Sequence, residues 1–329
     1  MNTSNTSIGK QRFIYFLNQL QVILDKAELS ENPALTLYQE NIRTPFFMLE
    51  ALSRLYKKIH NKKIFGKLND SFKDMEDRLG RIDYYDGFYK EFITQKNIPA
   101  LIADYLKEKK EEEIAALNQD LKKNDWVGKK SDRIIKIIKN LDKVDWLNVD
   151  EDTNAVKIIY QQDLNTITEK YKKGEIKFEE VEKDVHELRR ELRWLSIYPQ
   201  SFRGLLQLKP ADDTPDFLQK YLTPEIINSP YNIMPDGKDL QNHILLNSNY
   251  FYALSWLIAE LGKIKDNGLK ITAIKEALIT VYKIDKKNVE PLAYSICGTT
   301  QMTIPEILES AKDITTRFFD DNILGNLVG

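Results

Sequence analysis

The chain has 329 residues, 42% hydrophobic and 30% charged, with 48 basic residues against 50 acidic ones. That balance fits a soluble folded protein with one large or two ordinary cores, and it excludes a disordered chain. A net charge of −2 also disfavours general nucleic-acid binding, which draws on a basic excess, so any anion site must come from local clustering.

Helical periodicity dominates from the start. Phe13, Phe16, Leu17, Leu20 and Leu24 form the apolar stripe of a first helix. The polar N-terminus, and the Asn18, Gln19 and Gln21 that interrupt this stripe, argue against a signal peptide. A second helix is expected after Pro45, with Thr44 as its cap and Met48, Leu49, Leu52, Leu55 and Ile59 inside. Further helices are expected over about 67–80, 84–95, 97–121, 130–142, 154–173 and 176–197. Residues 208–243 carry Pro210, Pro215, Pro224, Pro230 and Pro235, and read as loop with short helical turns. Helices resume over about 244–265, 267–283 and 303–320, and no alternating strand is found. The longest apolar region, Tyr250 to Leu261, is too short to span a bilayer. A cytoplasmic protein without a membrane partner is the expectation.

Two short stretches look like copies. Leu79-Gly80-Arg81-Ile82-Asp83 continues to Asp86-Gly87-Phe88, and Leu261-Gly262-Lys263-Ile264-Lys265-Asp266 continues to Gly268-Leu269. Each is read as a helix ending at Leu-Gly, with the glycine in a left-handed cap and an aspartate capping the next helix. The fold class expected is therefore all-α, with two pseudo-symmetric four-helix bundles from a duplicated unit. Their expected extents are residues 1–165 and 166–329, the second carrying the proline-rich insert 208–243.

Residues Val185 to Trp194 carry the most chemistry. Val185, Leu188, Leu192 and Leu195 form one helical face, and His186, Arg189 and Arg193 lie beside it. Arg190 has Glu187 three residues back, whereas Arg189 and Arg193 are a like-charge i,i+4 pair, which costs roughly 0.2–0.5 kcal/mol in an isolated helix. An anion from outside this helix is expected to meet them. It is either a carboxylate of another helix, such as the run Glu111-Glu112-Glu113, or a ligand. Guanidinium forks suit phosphate oxygens, and a histidine beside them gains charge as an anion approaches. Lys57, Lys58, Lys62 and Lys63, near Arg54, either extend a phosphate groove or form a solvated helix end that favours cations. Arg133, Lys136 and Lys139 read as a solvated face, with Asp132 and Asp142 in reach.

Enzyme signatures fail their contexts. Gly128-Lys129-Lys130-Ser131 lacks the upstream glycine and the preceding strand of a P-loop. Glu180-Val181-Glu182-Lys183 nearly matches the Glu-x-Glu-x-Lys strand of triphosphate tunnel enzymes, but the lysine comes one position early and the segment is helical. His60, His186 and His243 supply neither Glu-x-x-His pairs nor His-Glu-x-x-His. Cys297, the single cysteine, reads as a small hydrophobe. Asp83, Asp86 and Asp266 read as helix caps before Mg²⁺ ligands. The tyrosines Tyr84, Tyr85, Tyr89, Tyr250 and Tyr252 fit core faces better than a groove for single-stranded nucleic acid. No catalytic residue, metal or cofactor is expected.

The stretch His186-Glu-Leu-Arg189-Arg190-Glu-Leu-Arg193-Trp-Leu resembles the His-x-x-Arg-x-x-x-Arg-Arg-Leu-Arg helix of CHAD domains, the conserved-histidine α-helical family. The family's later Leu-Gly turn is similar to both Leu-Gly stretches. The resemblance runs from about Arg43 onward and implies two four-helix bundles that bind inorganic polyphosphate without catalysis. The family histidine falls on His186 and its arginines on Arg189 and Arg193. In the first half, Phe46 stands where a histidine belongs and Leu49 where an arginine belongs, while Arg54, Lys57 and Lys58 keep basic character. A lopsided anion site is therefore expected, holding polyphosphate or another phosphate-rich anion at His186, Arg189, Arg190 and Arg193, with Arg54, Lys57 and Lys58 as its basic extension. The alternative is a protein-interaction module of the same fold whose anion site has decayed.

Overall fold

The computed structural model describes residues 7–128, 132–211, 213–238, 240–298 and 300–328. The protein is all-α. In chain order the helices are α1 (Ile8–Glu28), α2 (Pro33–Gln39), α3 (Arg43–Ile59), α4 (Lys62–Phe92), α5 (Ala100–Lys123), α6 (Arg133–Leu141), α7 (Val149–Lys172), α8 (Glu187–Ser201), α9 (Pro224–Ile227), α10 (Ser248–Thr280), α11 (Val289–Cys297) and α12 (Ile304–Asp320). A π-helical turn, Val181–His186, runs directly into α8. No helix among the described residues is long and apolar enough to cross a membrane.

The chain forms two compact units, Met1–Trp146 with Lys270–Gln301, and Leu147–Leu269 with Met302–Gly329. The boundary expected at 165/166 falls inside α7, whose start is fixed by a capping box between Asn148 and Glu151. The chain divides before that helix, and the C-terminal part of α10 returns to the first unit together with α11.

In the first unit, α3 and α4 form an antiparallel hairpin joined through His60 and Asn61, and Asn61 caps α4 by accepting from the backbone N–H groups of Lys63 and Ile64. The expected cap at Thr44 is not used. Helix α3 begins at Arg43, and Pro45 sits inside its first turn, where a missing N–H costs nothing. Phe13, Leu17 and Leu20 of α1 join Leu49, Leu52, Tyr56 and Phe65 in a core closed to solvent. Burying each such large side chain stabilises the fold by roughly 1.5–3 kcal/mol. The tip of this core is aromatic: Trp146 packs edge-on against Tyr56 and Phe65, with centroids 5.4 and 5.7 Å apart. Gly9 makes room for it, since a Cβ there would lie 2.6 Å from Trp146 Cε3.

In the second unit the insert holds short helical turns at Asp216–Tyr221, Pro224–Ile227 and Pro230–Asn232, as expected, but strands that were not expected stand at its two edges. Two four-residue strands, β1 (Leu206–Lys209) and β2 (Ile244–Asn247), pair in parallel. Such strands are too short to show an alternating pattern. The chain end joins them, as Asn247 N donates to Leu327 O at 2.9 Å. Pro199 lies within the last turn of α8 and does not end it.

Both Leu-Gly helix ends are corrected. Gly80 lies in the interior of α4 and Gly262 in the interior of α10, so the helices expected over 67–80 and 84–95 are one, as are those over 244–265 and 267–283. A glycine inside a helix costs about 1 kcal/mol relative to alanine. The close approach of an arginine to each glycine accounts for the residue.

Candidate functional site

In the second unit, α8 crosses α10 at Gly262. A Cβ at that position would lie 3.1 Å from Arg189 Nε, and the same nitrogen donates to the carbonyl of Ile258 at 3.1 Å. One end of the crossing is fixed by Gly268, where a Cβ would come within 2.8 Å of Val181 Cγ1. As the chain runs from Val181 to Arg189, its contacts on α10 run from residue 268 back to residue 258. The pairing is antiparallel, and it sets His186 and Lys265 between these two contacts.

The electrostatics follow from that register. Burial pushes the His186 imidazole down to about 4; Lys265 is the next largest cause, and Arg189 and Arg190 add to it against the opposing field of Glu187. His186 is therefore neutral at neutral pH, and its buried Nδ1 has no hydrogen-bond partner among the described residues. The Lys265 side chain is only 15% exposed and pairs with its neighbour Asp266 at 3.0 Å. Arg190 pairs with Glu187 at 3.2 Å. Arg193 is half-buried one turn beyond Arg189, and its backbone carbonyl accepts from Ser196 Oγ at 2.9 Å. The structure thus gathers His186, Arg189 and Arg190, and it adds Lys265. The signal for Lys265 was present in the two Leu-Gly stretches: aligned on the glycine, Lys265 stands where the first stretch has Asp83.

The first unit contains the same crossing with opposite charge on the long helix. Arg43 of α3 lies over Gly80 of α4, where a Cβ would meet its Nη2 at 2.9 Å. Arg43 Nε donates to Glu76 Oε1 at 2.7 Å, and Nη1 donates to Asp83 Oδ2 at 2.9 Å. Asp86, one turn on and buried, accepts from Tyr38 Oη at 2.9 Å and pairs with Lys90 at 2.6 Å and Lys110 at 3.3 Å. Burial raises its carboxyl, but the hydrogen bonds from Lys90, Tyr38 and Lys110 outweigh that and hold it below the usual range. Asp83 and Asp86 are thus ion-pair partners inside a helix and not caps, and Asp266 likewise pairs with Lys265. No group of three or more His, Cys, Asp or Glu among the described residues could hold a metal. Phe46 and Leu49 are core residues, and the arginine that crosses the glycine is Arg43, three residues before Phe46.

Arg54, Lys57 and Lys58 lie at the C-terminal end of α3, in the first unit. Arg54 is half-buried, the Lys57 stem runs 3.7 Å from where a Gly66 Cβ would stand, and Lys58 is exposed. With Lys62, Lys63 and Lys67 they form a basic hairpin tip, since residues 51–69 contain six basic residues and no acidic one. His186 and Arg189 belong to the second unit. Of the acidic run, Glu112 pairs with Lys109 and Glu113 with Arg81. Lys136 pairs with Asp125 and Asp132, as a solvated face should. The P-loop-like stretch lies partly outside the described residues, at 129–131.

No protein-family model, curated protein or solved structure matches this chain.

Proposed function

We propose that this chain is a non-catalytic binder of a phosphate-rich anion, inorganic polyphosphate above all, on a CHAD-like helical frame. The observation that carries this reading is the α8–α10 crossing, where Arg189 lies over Gly262 and Lys265 and His186 sit between the same two contacts. Arginine forks and a lysine point charge, half-withdrawn from water, bind phosphate oxygens more strongly than they would in bulk solvent. A neutral histidine beside them takes up a proton when an anion arrives. The buried Cys297, whose thiol is pushed up by burial, supports a reading without nucleophilic catalysis. The test is a titration with polyphosphate at low and moderate salt, on the wild type and on Arg189→Ala/Arg193→Ala. The reading expects affinity that falls with salt and is lost in the double variant. Salt-insensitive binding, or a double variant that binds normally, contradicts it.

A protein-interaction role is the second reading, favoured by the insert. Tyr231 and Ile233 are 80% and 67% exposed, yet the turn that carries them is fastened. Gln200 donates to both of their carbonyls, and the buried Asn232 between them bonds Ile226 O and Ser255 at 2.7 Å each. This reading expects Tyr231→Ser/Ile233→Ser to release a protein that the wild type retains in a pull-down. Unchanged retention contradicts it.

A further inference from the structure

The anion site on α8 leaves the basic tip of the α3–α4 hairpin unexplained, and helix chemistry accounts for only part of that tip. Lys57 and Lys58 close α3, at the end of a helix that favours cations. Lys62 and Lys63 open α4, at the end that repels them, and no acidic residue stands in that turn. By contrast, α7 opens on Asp150, Glu151 and Asp152, and α12 on Glu306. Lys63 and Lys67 add a like-charge pair four residues apart, a further cost to the helix. Lys57, Lys62, Lys63 and Lys67 form no ion pair among the described residues. The frame beneath them is firm. Only His60 and Asn61 join the two helices, and the His60 ring stacks on Tyr56 at 5.5 Å and meets Trp146 edge-on at 5.2 Å. Tyr56 and Phe65 are closed to solvent, whereas Lys58, Lys62, Lys63 and Lys67 are exposed.

We propose that this tip docks the protein on an anionic membrane surface, by charge and without insertion. Neighbouring residues of a helix point roughly 100° apart. Lys57 with Lys58, and Lys62 with Lys63, therefore fan out around the hairpin, and a flat surface lying across its end meets all four at once. A linear polyanion running along one face meets only some of them. The residue type agrees. Five of the six basic residues of the tip are lysines, hydrated point charges that suit the diffuse field of a charged bilayer, whereas arginine forks select individual oxyanions. The rings of Tyr56 and Phe65 face the core, so they give no platform on which nucleic-acid bases could stack. No large apolar side chain of residues 51–69 is exposed, so the tip rests at the headgroups and does not enter the acyl layer. Such docking needs no membrane-spanning helix.

Co-sedimentation with vesicles tests this, using phosphatidylcholine alone and an equimolar mixture with phosphatidylserine. The wild type is expected to bind the mixed vesicles only, and less as salt rises. Each lysine near such a surface is worth about fivefold in partitioning, so Lys57→Gln/Lys62→Gln/Lys63→Gln/Lys67→Gln should bind about a hundredfold more weakly or worse. Four exposed lysines elsewhere in the first unit make the control: Lys107→Gln/Lys122→Gln/Lys123→Gln/Lys139→Gln should keep most of the binding. A wild type that ignores the mixed vesicles, or a control that loses as much as the tip variant, overturns the proposal. If duplex DNA or polyglutamate binds through the tip and the vesicles do not, the partner is a nucleic acid or an acidic protein, and the proposal falls. Should the fourfold tip variant fail to fold, Lys62→Glu/Lys63→Glu decides. It suits the start of α4, so it should melt higher while releasing the vesicles, and retained binding overturns the proposal. Arg189→Ala/Arg193→Ala should bind vesicles as the wild type does, which keeps this test apart from that of polyphosphate binding; a loss there would assign the vesicles to α8 and overturn the proposal.

Discussion

His186 is poised by its surroundings and not by its sequence neighbours alone. Its folded pKa of about 4 lies below the ordinary value of 6.5, for the combined reasons of burial and the Lys265, Arg189 and Arg190 charges. Between those two values the unfolded chain binds more protons than the folded one, so stability rises with pH across this window. The contribution is fully present above 6.5 and is lost as the pH falls toward 4. Urea denaturation at steps from pH 4 to 7 should show this slope in the wild type, with His186→Gln flatter; equal slopes contradict it. The two helical glycines give a second residue-scale prediction. Gly80→Ala gains about 1 kcal/mol of helix propensity, but it displaces an arginine held by two carboxylates. A net loss of ~1–2 kcal/mol is expected in thermal melts. Gly262→Ala pushes on an Arg189 Nε that is anchored to a carbonyl. Its melt should hold or rise while polyphosphate affinity falls, and a stabilised Gly80→Ala would undo the contrast. The arginine stripe was legible in the sequence because helical spacing reveals it. Lys265 stood in the compared stretches, but its role and that of Arg43 depend on which residue of another helix faces them, and Leu-Gly was read as an end when it marks a crossing.

At the scale of elements, periodicity located α1, α3, α5 and α7 to within a turn or so, since each buries one continuous apolar stripe, whereas the helix expected over 176–197 is α-helical only from Glu187 and runs on to Ser201. It failed where a local breaker was overruled by packing. Gly80 and Gly262 stay helical, and Pro199 rides in the last turn of α8. It also missed β1 and β2, whose four residues each are defined by each other and by the chain end. The α1–α3 packing makes a sharp prediction at Gly9. An alanine Cβ would lie 2.6 Å from Trp146 and 2.9 Å from Tyr56 Oη, between rings that are already packed together. Gly9→Ala should therefore destabilise by about 1–3 kcal/mol despite better helix propensity. Tryptophan fluorescence in denaturant measures it, and a neutral result would show that the rings can shift.

For the whole molecule, the division of the chain was not legible in the sequence, because no turn signal marks the point within α10 where one unit's residues give way to the other's. Lys270 pairs with Glu91 at 2.7 Å, and Asn97 donates to the Ile296 carbonyl at 2.6 Å. The first unit is thus completed by a segment that follows most of the second. Fragments 1–165 and 166–329, made separately, should lack cooperative thermal transitions by circular dichroism, whereas a cooperative melt of 1–165 would show that the returning segment is dispensable. The central claim concerns the α8–α10 crossing, and one measurement reaches it directly. The protein has three histidines, so NMR can follow the imidazole of His186 through a pH titration with and without tripolyphosphate. An anion bound at this crossing stabilises the imidazolium, so the His186 pKa should rise clearly from about 4 when tripolyphosphate is bound. Binding that leaves the His186 titration unchanged would place the anion elsewhere and contradict the account.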